Sequence, residues 1–167
     1  VKIIDGCGDA QARGFVVIEK NQILEVGKGP GPSKKNGHEA IDLDGRCVLP
    51  GMIDCHVHLC IDGSADPMKS VQKDSAAMIT LKAARHAHLS LLGGVTTVRD
   101  LGSVNGISGS LRDAINLGIV IGPRIVSTNQ AVCITGGQGW QFSRQADGAD
   151  GVRQAVREQI RAGADAI

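Results

Sequence analysis

The sequence lacks several features that would place it in a broad class of proteins. Its 167 residues carry 18 Lys and Arg against 17 Asp and Glu, which gives a formal net charge of +1. No excess of basic residues therefore points to nucleic acid or to an anionic membrane surface. No apolar run reaches the roughly 18–20 residues needed to cross a bilayer, and no basic-then-apolar leader opens the chain. We expect a cytoplasmic protein without nucleic-acid or membrane partners, and a homo-oligomer is compatible with this composition.

Paired cysteines and the common nucleophile motifs are missing as well. The five cysteines are an odd number without paired spacing, which disfavours a disulfide framework and a structural zinc site built from two cysteine pairs. Neither a Gly-x-Ser-x-Gly elbow nor a Gly-x-x-x-x-Gly-Lys-Ser/Thr phosphate loop occurs. The chemistry of this chain must therefore be sought elsewhere.

The first 49 residues have the pattern of short strands joined by tight turns. Residues 14–19 and 22–26 flank Lys20-Asn21, and residues 40–43 and 46–49 flank Asp44-Gly45, a strong hairpin dipeptide. Residues 1–4 add a further strand. Short strands without intervening helices predict a small β-sandwich domain over residues 1–49.

From residue 50 the pattern changes to strands that alternate with helices. We predict strands at residues 52–59, 95–99, 124–127 and 164–167. The predicted helices run from Ser70 or Ser75 to about residue 92, over residues 110–117, and from an N-cap at Asp150 to Gly163. This order predicts an α/β fold in which residues 50–167 form the first four β/α units, half of a (β/α)8 TIM barrel that usually needs about 250 residues.

Two histidines follow the turn Pro50-Gly51 on the first of these strands. Side chains alternate along a strand, so His56 and His58 are predicted to share a face with Asp54 and Cys60. Neighbouring imidazoles suit a divalent metal such as zinc, which binds histidine nitrogen at about 2.0–2.1 Å. The alternative is a pair of hydrogen-bonded structural histidines.

A second His-x-His sequence, His86-Ala87-His88, lies within the first predicted helix. At 100° per residue the two side chains would point about 200° apart, so they cannot grip one metal ion. We therefore predict structural roles for both histidines.

Further candidates lie beyond the later strands. Asp100 ends the second strand, where barrel enzymes assemble their sites; it could orient a ligand histidine or serve as a cap or salt bridge. The glycine-rich residues 134–140 permit close approach of a ligand. Within them, Gln138 and Trp140 are candidate substrate-binding residues, with simple packing of the loop as the alternative for Trp140.

The sequence from Pro50 to His58 resembles the first barrel-strand signature of the amidohydrolase superfamily, Pro-Gly-(Leu/Met/Phe)-Ile-Asp-x-His-x-His. Val-Thr-Thr-Val-Arg-Asp, ending at Asp100, resembles the second barrel strand of the same superfamily. The sequence that flanks both motifs is similar to the branch related to imidazolonepropionase, which includes Xaa-Pro dipeptidases. The resemblance implies that this chain is the N-terminal portion of such an enzyme. Relatives often carry Thr-Gly-Gly-His where this chain has Gln138, an amide that can hydrogen-bond but cannot transfer protons.

The same resemblance implies a cofactor and an activity. It implies two zinc ions, with His56 and His58 on the more buried one, and a bridging carboxylated lysine that we expect at residue 168, followed by later histidine and aspartate residues. The implied function is hydrolysis of a carbon–nitrogen bond in a small-molecule or dipeptide substrate by metal-activated water, in an Xaa-Pro dipeptidase or a related carboxypeptidase. The alternatives are a cyclic amidohydrolase of the imidazolonepropionase type, which uses one metal, and a binding scaffold with a vestigial site.

Overall fold

The computed structural model describes residues 1–8, 13–32 and 39–167. The chain divides into two compact units, Val1–Pro50 and Gly51–Ile167. No helix in the described ranges combines the length and the hydropathy needed to span a membrane.

The first unit contains two short sheets among its described residues. Strands β2 (Gly14–Glu19) and β3 (Gln22–Lys28) form the predicted antiparallel hairpin, and Lys20 at its turn has a φ of 55°. Strand β1 (Lys2–Ile3) pairs in parallel with β4 (Cys47–Val48). The sandwich that these strands would build stays a prediction.

The predicted strand at residues 40–43 is wrong, although the turn after it is present. Arg46 N–H donates to the Leu43 carbonyl at 3.0 Å, and Asp44 and Gly45 both have positive φ, as a tight hairpin turn requires. No strand is assigned to residues 39–43. The residues after the turn pair with β1 instead, where Lys2 N–H donates to the Arg46 carbonyl at 3.1 Å.

The second unit is built on a three-stranded parallel sheet. Its strands β5 (Met52–Val57), β6 (Val95–Asp100) and β7 (Arg124–Ser127) are neighbours in chain order. Gly51 permits the close approach of the first two, because a Cβ there would lie 2.0 Å from Thr96 Oγ1. The strands that follow, β8 (Ala131–Cys133) and β9 (Ser143–Gln145), form a separate parallel pair that the sequence pattern did not predict.

Four helices connect or follow these strands: α1 (Pro67–Lys73), α2 (Ala76–Leu92), α3 (Ile107–Asn116) and α4 (Gly148–Arg161). The first two were predicted as one helix, but the backbone is extended at Asp74 and Ser75, and Ser75 Oγ caps α2 by accepting from Met78 N–H. Helix α3 starts three residues before its predicted first residue, directly after a 3-10 turn at Val104–Gly106.

Helix α4 differs from its prediction in its first residue and in its buried face. The residue before the helix is Asp147, so Asp150 lies in the first turn and pairs with Arg153 rather than capping the helix. Ala155 and Gln159 are buried, whereas Val152 and Ile160, predicted as part of the buried stripe, are exposed. Gln159 turns inward instead, and its Oε1 accepts from Gln130 N–H at 3.2 Å.

The predicted fourth strand at residues 164–167 is not assigned as a strand. Asp165 N–H donates to the Ser127 carbonyl at 2.7 Å, which is a ladder-like bond to the end of β7. However, the Asp165 carboxylate also accepts from Ser127 N–H at 2.8 Å, and a parallel ladder would give that donor to a backbone carbonyl.

A continuous apolar core joins α2 and α3 to the sheet. Apolar side chains from all these elements turn inward together, so each helix buries one face. The buried residues of this core are Leu59, Cys60, Ile79, Ala83, Ala87, Val98, Ile107, Leu111 and Ile125.

Candidate metal centre

His56 and His58 lie together at the carboxyl end of β5. His56 belongs to the strand, and His58 is the first residue after it, since β5 ends at Val57. Their ring centroids are 5.3 Å apart and the ring planes meet at 74°. Asp54, predicted on the same face, bonds within its own strand by accepting from His56 N–H at 3.0 Å. The two imidazoles are therefore close neighbours at the end of the sheet where parallel-barrel enzymes place their sites.

The orientation of His58 is set by a backbone carbonyl. His58 Nδ1 lies 3.0 Å from the Gly102 carbonyl oxygen. A carbonyl can only accept, so Nδ1 carries a proton, and in the neutral ring Nε2 is then the nitrogen with the free lone pair. Metal-binding histidines are typically held in this way, with one ring nitrogen donating to the protein and the other turned to the ion.

Asp100 is fully buried and acts on the backbone around His58. Its Oδ2 accepts from Leu59 N–H at 2.9 Å and its Oδ1 accepts from Gly102 N–H at 3.1 Å. Burial raises the pKa of Asp100, and the two N–H donors oppose that rise. The carboxylate thus joins the peptide that follows His58 to the segment whose carbonyl holds the His58 ring.

Phe142, which the sequence reasoning missed, packs against His58. The ring centroids are 5.0 Å apart, and Phe142 is only 9% exposed. Gly139 makes room for it, because a Cβ there would lie 2.7 Å from Phe142 Cζ. The available signal was compositional: the chain has only two Phe and one Trp, and one of the phenylalanines follows the glycine-rich loop directly.

Gln138 and Trp140 lie in the loop between β8 and β9, and both are exposed. The base of the loop is fixed by Asp147, which accepts from the N–H and hydroxyl of Thr135, and by Gln145 Oε1, which accepts from Gly136 N–H at 2.8 Å. The hydroxyl and the N–H of Thr135 lower the pKa of Asp147 by donating to its carboxylate. The loop that carries both candidate substrate residues is therefore anchored at its base, and Phe142 connects its far end to His58.

Cys60 does not share the face of the two histidines, contrary to the alternation predicted through residue 59. The strand ends at Val57, and a turn follows in which Ile61 N–H donates to the His58 carbonyl at 3.0 Å. Cys60 consequently points into the core at 3% exposure, and burial raises its pKa to about 11. A protonated, buried thiol is a poor metal ligand.

His86 and His88 also take different positions, as helical geometry predicts. His86 Nδ1 lies 2.8 Å from the Leu59 carbonyl oxygen, while His88 makes no side-chain hydrogen bond among the described residues. The second His-x-His sequence thus forms no ligand pair.

The donor set at the end of β5 fits a divalent metal ion. It offers two adjacent imidazoles, one of them with a fixed tautomer, as two of the roughly four ligands that zinc takes. Within the described ranges no group of three or more His, Cys, Asp or Glu residues is arranged to hold a metal. His56 and His58 are therefore candidate ligands, and the described residues bring no third His, Cys, Asp or Glu ligand beside them.

The chain belongs to the amidohydrolase family, whose sequence model matches residues 47–167. It is 31% identical over 99 residues to an imidazolonepropionase of Fusobacterium nucleatum, across 52% of this chain and 24% of that protein. It is 29% identical over 194 residues to an ochratoxinase of Aspergillus niger, across 99% of this chain and 39% of that protein.

Solved structures show the same relationship. A crystal structure of an Xaa-Pro dipeptidase with bound methionine in the active site superposes with a TM-score of 0.82 at 32% identity, covering 98% of this chain and 44% of that one. The predicted family and the predicted fold, the N-terminal part of a TIM-barrel amidohydrolase, are thereby confirmed. The chain spans less than half the length of each of these three proteins.

Proposed function

We propose that the protein is a metal-dependent hydrolase that cleaves a carbon–nitrogen amide bond, specifically a dipeptidase of the Xaa-Pro type or a related carboxypeptidase. The observation that carries this proposal is the pair of imidazoles at the end of β5, 5.3 Å apart between centroids, in a chain of the amidohydrolase family. The likeness to the Xaa-Pro dipeptidase structure supports the choice of substrate.

The proposed cofactor is zinc, with two ions in the intact protein; His56 and His58 would be among the ligands of one ion, and a carboxylated lysine would be a further ligand. Bound metal would supply Lewis acidity that lowers the pKa of water toward about 7 and polarises the amide carbonyl. The chain's own contribution is to hold the ligands. The Gly102 carbonyl fixes the His58 tautomer, and Asp100 fixes the peptide that follows His58.

Gln138 and Trp140 are proposed to contact the substrate. The Gln138 amide can both donate and accept a hydrogen bond without changing charge, which suits binding rather than proton transfer. Trp140 is 46% exposed and offers a flat apolar surface against which a small ring or side chain could stack. The proposed partner is accordingly a dipeptide or another small molecule, and a cytoplasmic location belongs to the same proposal.

The decisive experiment measures hydrolysis of an Xaa-Pro dipeptide panel by the full-length protein, with and without a chelator. We expect turnover that the chelator abolishes and added zinc restores, and about two metal ions per chain by elemental analysis. Turnover that survives complete metal removal would overturn the metal mechanism. Metal binding without turnover on any substrate would favour the binding scaffold.

A second candidate is hydrolysis of a cyclic amide, as in the imidazolonepropionase to which the chain is 31% identical over 99 residues. Metal stoichiometry separates the two candidates, because the cyclic amidohydrolase would hold one ion per chain and would need no bridging lysine. One ion together with turnover of a cyclic amide, and none of a dipeptide, would decide for this candidate.

A further inference from the structure

The backbone that carries His58 lies at the end of the sheet, where the last backbone bond to the neighbouring strand runs from Leu101 N–H to the Val57 carbonyl at 3.0 Å. Strand β5 ends at Val57, and the next residues form a turn. The main chain of Leu59 is held by two side chains from other elements. Asp100 Oδ2 accepts from its N–H at 2.9 Å, and His86 Nδ1 lies 2.8 Å from its carbonyl oxygen.

The bond from His86 has only one possible direction. A carbonyl oxygen accepts and cannot donate, so His86 Nδ1 must carry the proton and donate it. Leu59 is only 4% exposed, and without His86 its carbonyl would lose this partner in a place that water reaches poorly. Helix α2 therefore fixes the peptide plane after Leu59, and β6 fixes the one before it.

We propose that His86 is a positioning residue for the metal centre: by holding the Leu59 carbonyl it fixes the turn from which the His58 ring projects. A continuous path supports this role. It runs from His86 through the Leu59 peptides to Asp100, then through Gly102 to His58 Nδ1, with every hydrogen bond between 2.8 and 3.1 Å. The inference rests on the proposed function in one respect, that His58 binds metal.

The chain supplies a matched control for this role. His88 lies two residues further along α2, is half-buried like His86, and makes no side-chain hydrogen bond within the described part of the chain. Two replacements of His86 separate shape from bonding. His86→Asn keeps an N–H donor close to the position of Nδ1, whereas His86→Leu keeps the bulk and removes the donor.

The test uses the full-length protein, stripped of metal and titrated with Co²⁺ in competition with a chelator, together with kcat and KM of the reloaded enzyme. Loss of an outer hydrogen-bond partner of a ligand histidine typically weakens metal binding by about 10–100-fold. Because His86 acts through a peptide, we expect His86→Leu to weaken Co²⁺ binding about 10-fold, the lower end of that range. His86→Asn should recover most of the affinity, and His88→Leu should leave it unchanged.

Each other outcome has a defined meaning. Wild-type affinity in His86→Leu, or equal losses in His86→Leu and His88→Leu, would overturn the inference, since the effect would then be absent or would belong to helix packing. If His86→Leu does not fold, His86→Gln replaces it, because the longer side chain carries its N–H donor beyond the position of Nδ1. Equal Co²⁺ affinity in His86→Gln and His86→Asn would then overturn the inference. His58→Ala tests the proposed function separately. If this variant retains metal, the proposed metal site is wrong. If it loses metal while His86→Leu binds metal normally, only the positioning role of His86 is wrong.

Discussion

The chain contains the sequence His-x-His twice, and the two copies differ in what their backbone does with them. At the end of β5 the rings of His56 and His58 are neighbours, with centroids 5.3 Å apart. On α2 the rotation of about 100° per residue sends the side chains of His86 and His88 in different directions. The same three letters therefore bring two rings together at the end of a strand and separate two side chains on a helix.

The two copies are nevertheless connected. His86 donates to the Leu59 carbonyl, one residue beyond His58. The helical copy (His86 and His88) therefore supports the backbone of the extended copy (His56 and His58). A histidine that helical geometry separates from its neighbour can thus still hold the backbone beside another pair of histidines.

The largest expected effect is the difference in kcat/KM between a replacement in one copy and the same replacement in the other. In the full-length protein, His58→Ala should lower kcat/KM by roughly 10³-fold or more, because several kcal/mol of transition-state stabilisation depend on the bound metal. His88→Ala, the same replacement in the helical copy, should change it less than about 2-fold, because the half-buried His88 makes no side-chain hydrogen bond among the described residues. Steady-state kinetics with metal content by elemental analysis measure both. A normal metal content in His58→Ala would contradict the proposal that the extended copy binds metal.

The extended copy was predictable because its signal is local. The two-residue period of a strand and the turn at Pro50-Gly51 together place His56 and His58, and the same local signals predict β6, β7 and the hairpin of β2 and β3. Helical rotation likewise excluded a second ligand pair.

What the sequence could not supply are contacts between residues far apart in the chain. Phe142 meets His58 across 84 positions, and His86 meets the Leu59 carbonyl across 27. Neither contact produces a periodic pattern of residues in the sequence that could have indicated it. The end of β5 at Val57 was missed for a related reason: Asp100, 41 positions from Leu59, takes the Leu59 N–H and so favours the turn over a longer strand.

The next effect concerns the buried carboxylate beside the extended copy. Asp100→Asn should lower the free energy of unfolding by about 1–3 kcal/mol, because an amide has one acceptor oxygen where the carboxylate offers two, and one backbone N–H would be left without a partner. Denaturant unfolding of the full-length protein, followed by circular dichroism, measures the change.

Asp150→Asn is the matched control for that replacement. The Asp150 side chain is 98% exposed in the first turn of α4, so its replacement should stay within about 0.5 kcal/mol of the wild type. Equal losses in the two variants would show that the bonds of Asp100 to Leu59 and Gly102 contribute little to stability.

A smaller effect is expected in the loop that faces the extended copy. Gln138→Ala should raise KM by about 5-fold and leave kcat and its pH profile unchanged, because one neutral hydrogen bond contributes about 1 kcal/mol and an amide does not titrate. Gln154→Ala on α4 is the control and should change neither constant. A pH profile altered by the loss of Gln138 would mean that this position takes part in proton transfer, contrary to the proposal.

The smallest expected effect concerns Cys60, which lies just beyond the extended copy. If side-chain alternation continued past Val57, Cys60 would join the face of His56 and His58 and its thiolate could bind the metal. The structure instead buries Cys60 in the core at 3% exposure, so Cys60→Ala should leave the metal content and kcat/KM of the full-length protein unchanged. Its cost should appear only in unfolding, at about 1 kcal/mol for the small cavity left by the sulfur. A loss of metal comparable with that in His58→Ala would place the thiol among the ligands and extend the strand geometry to residue 60.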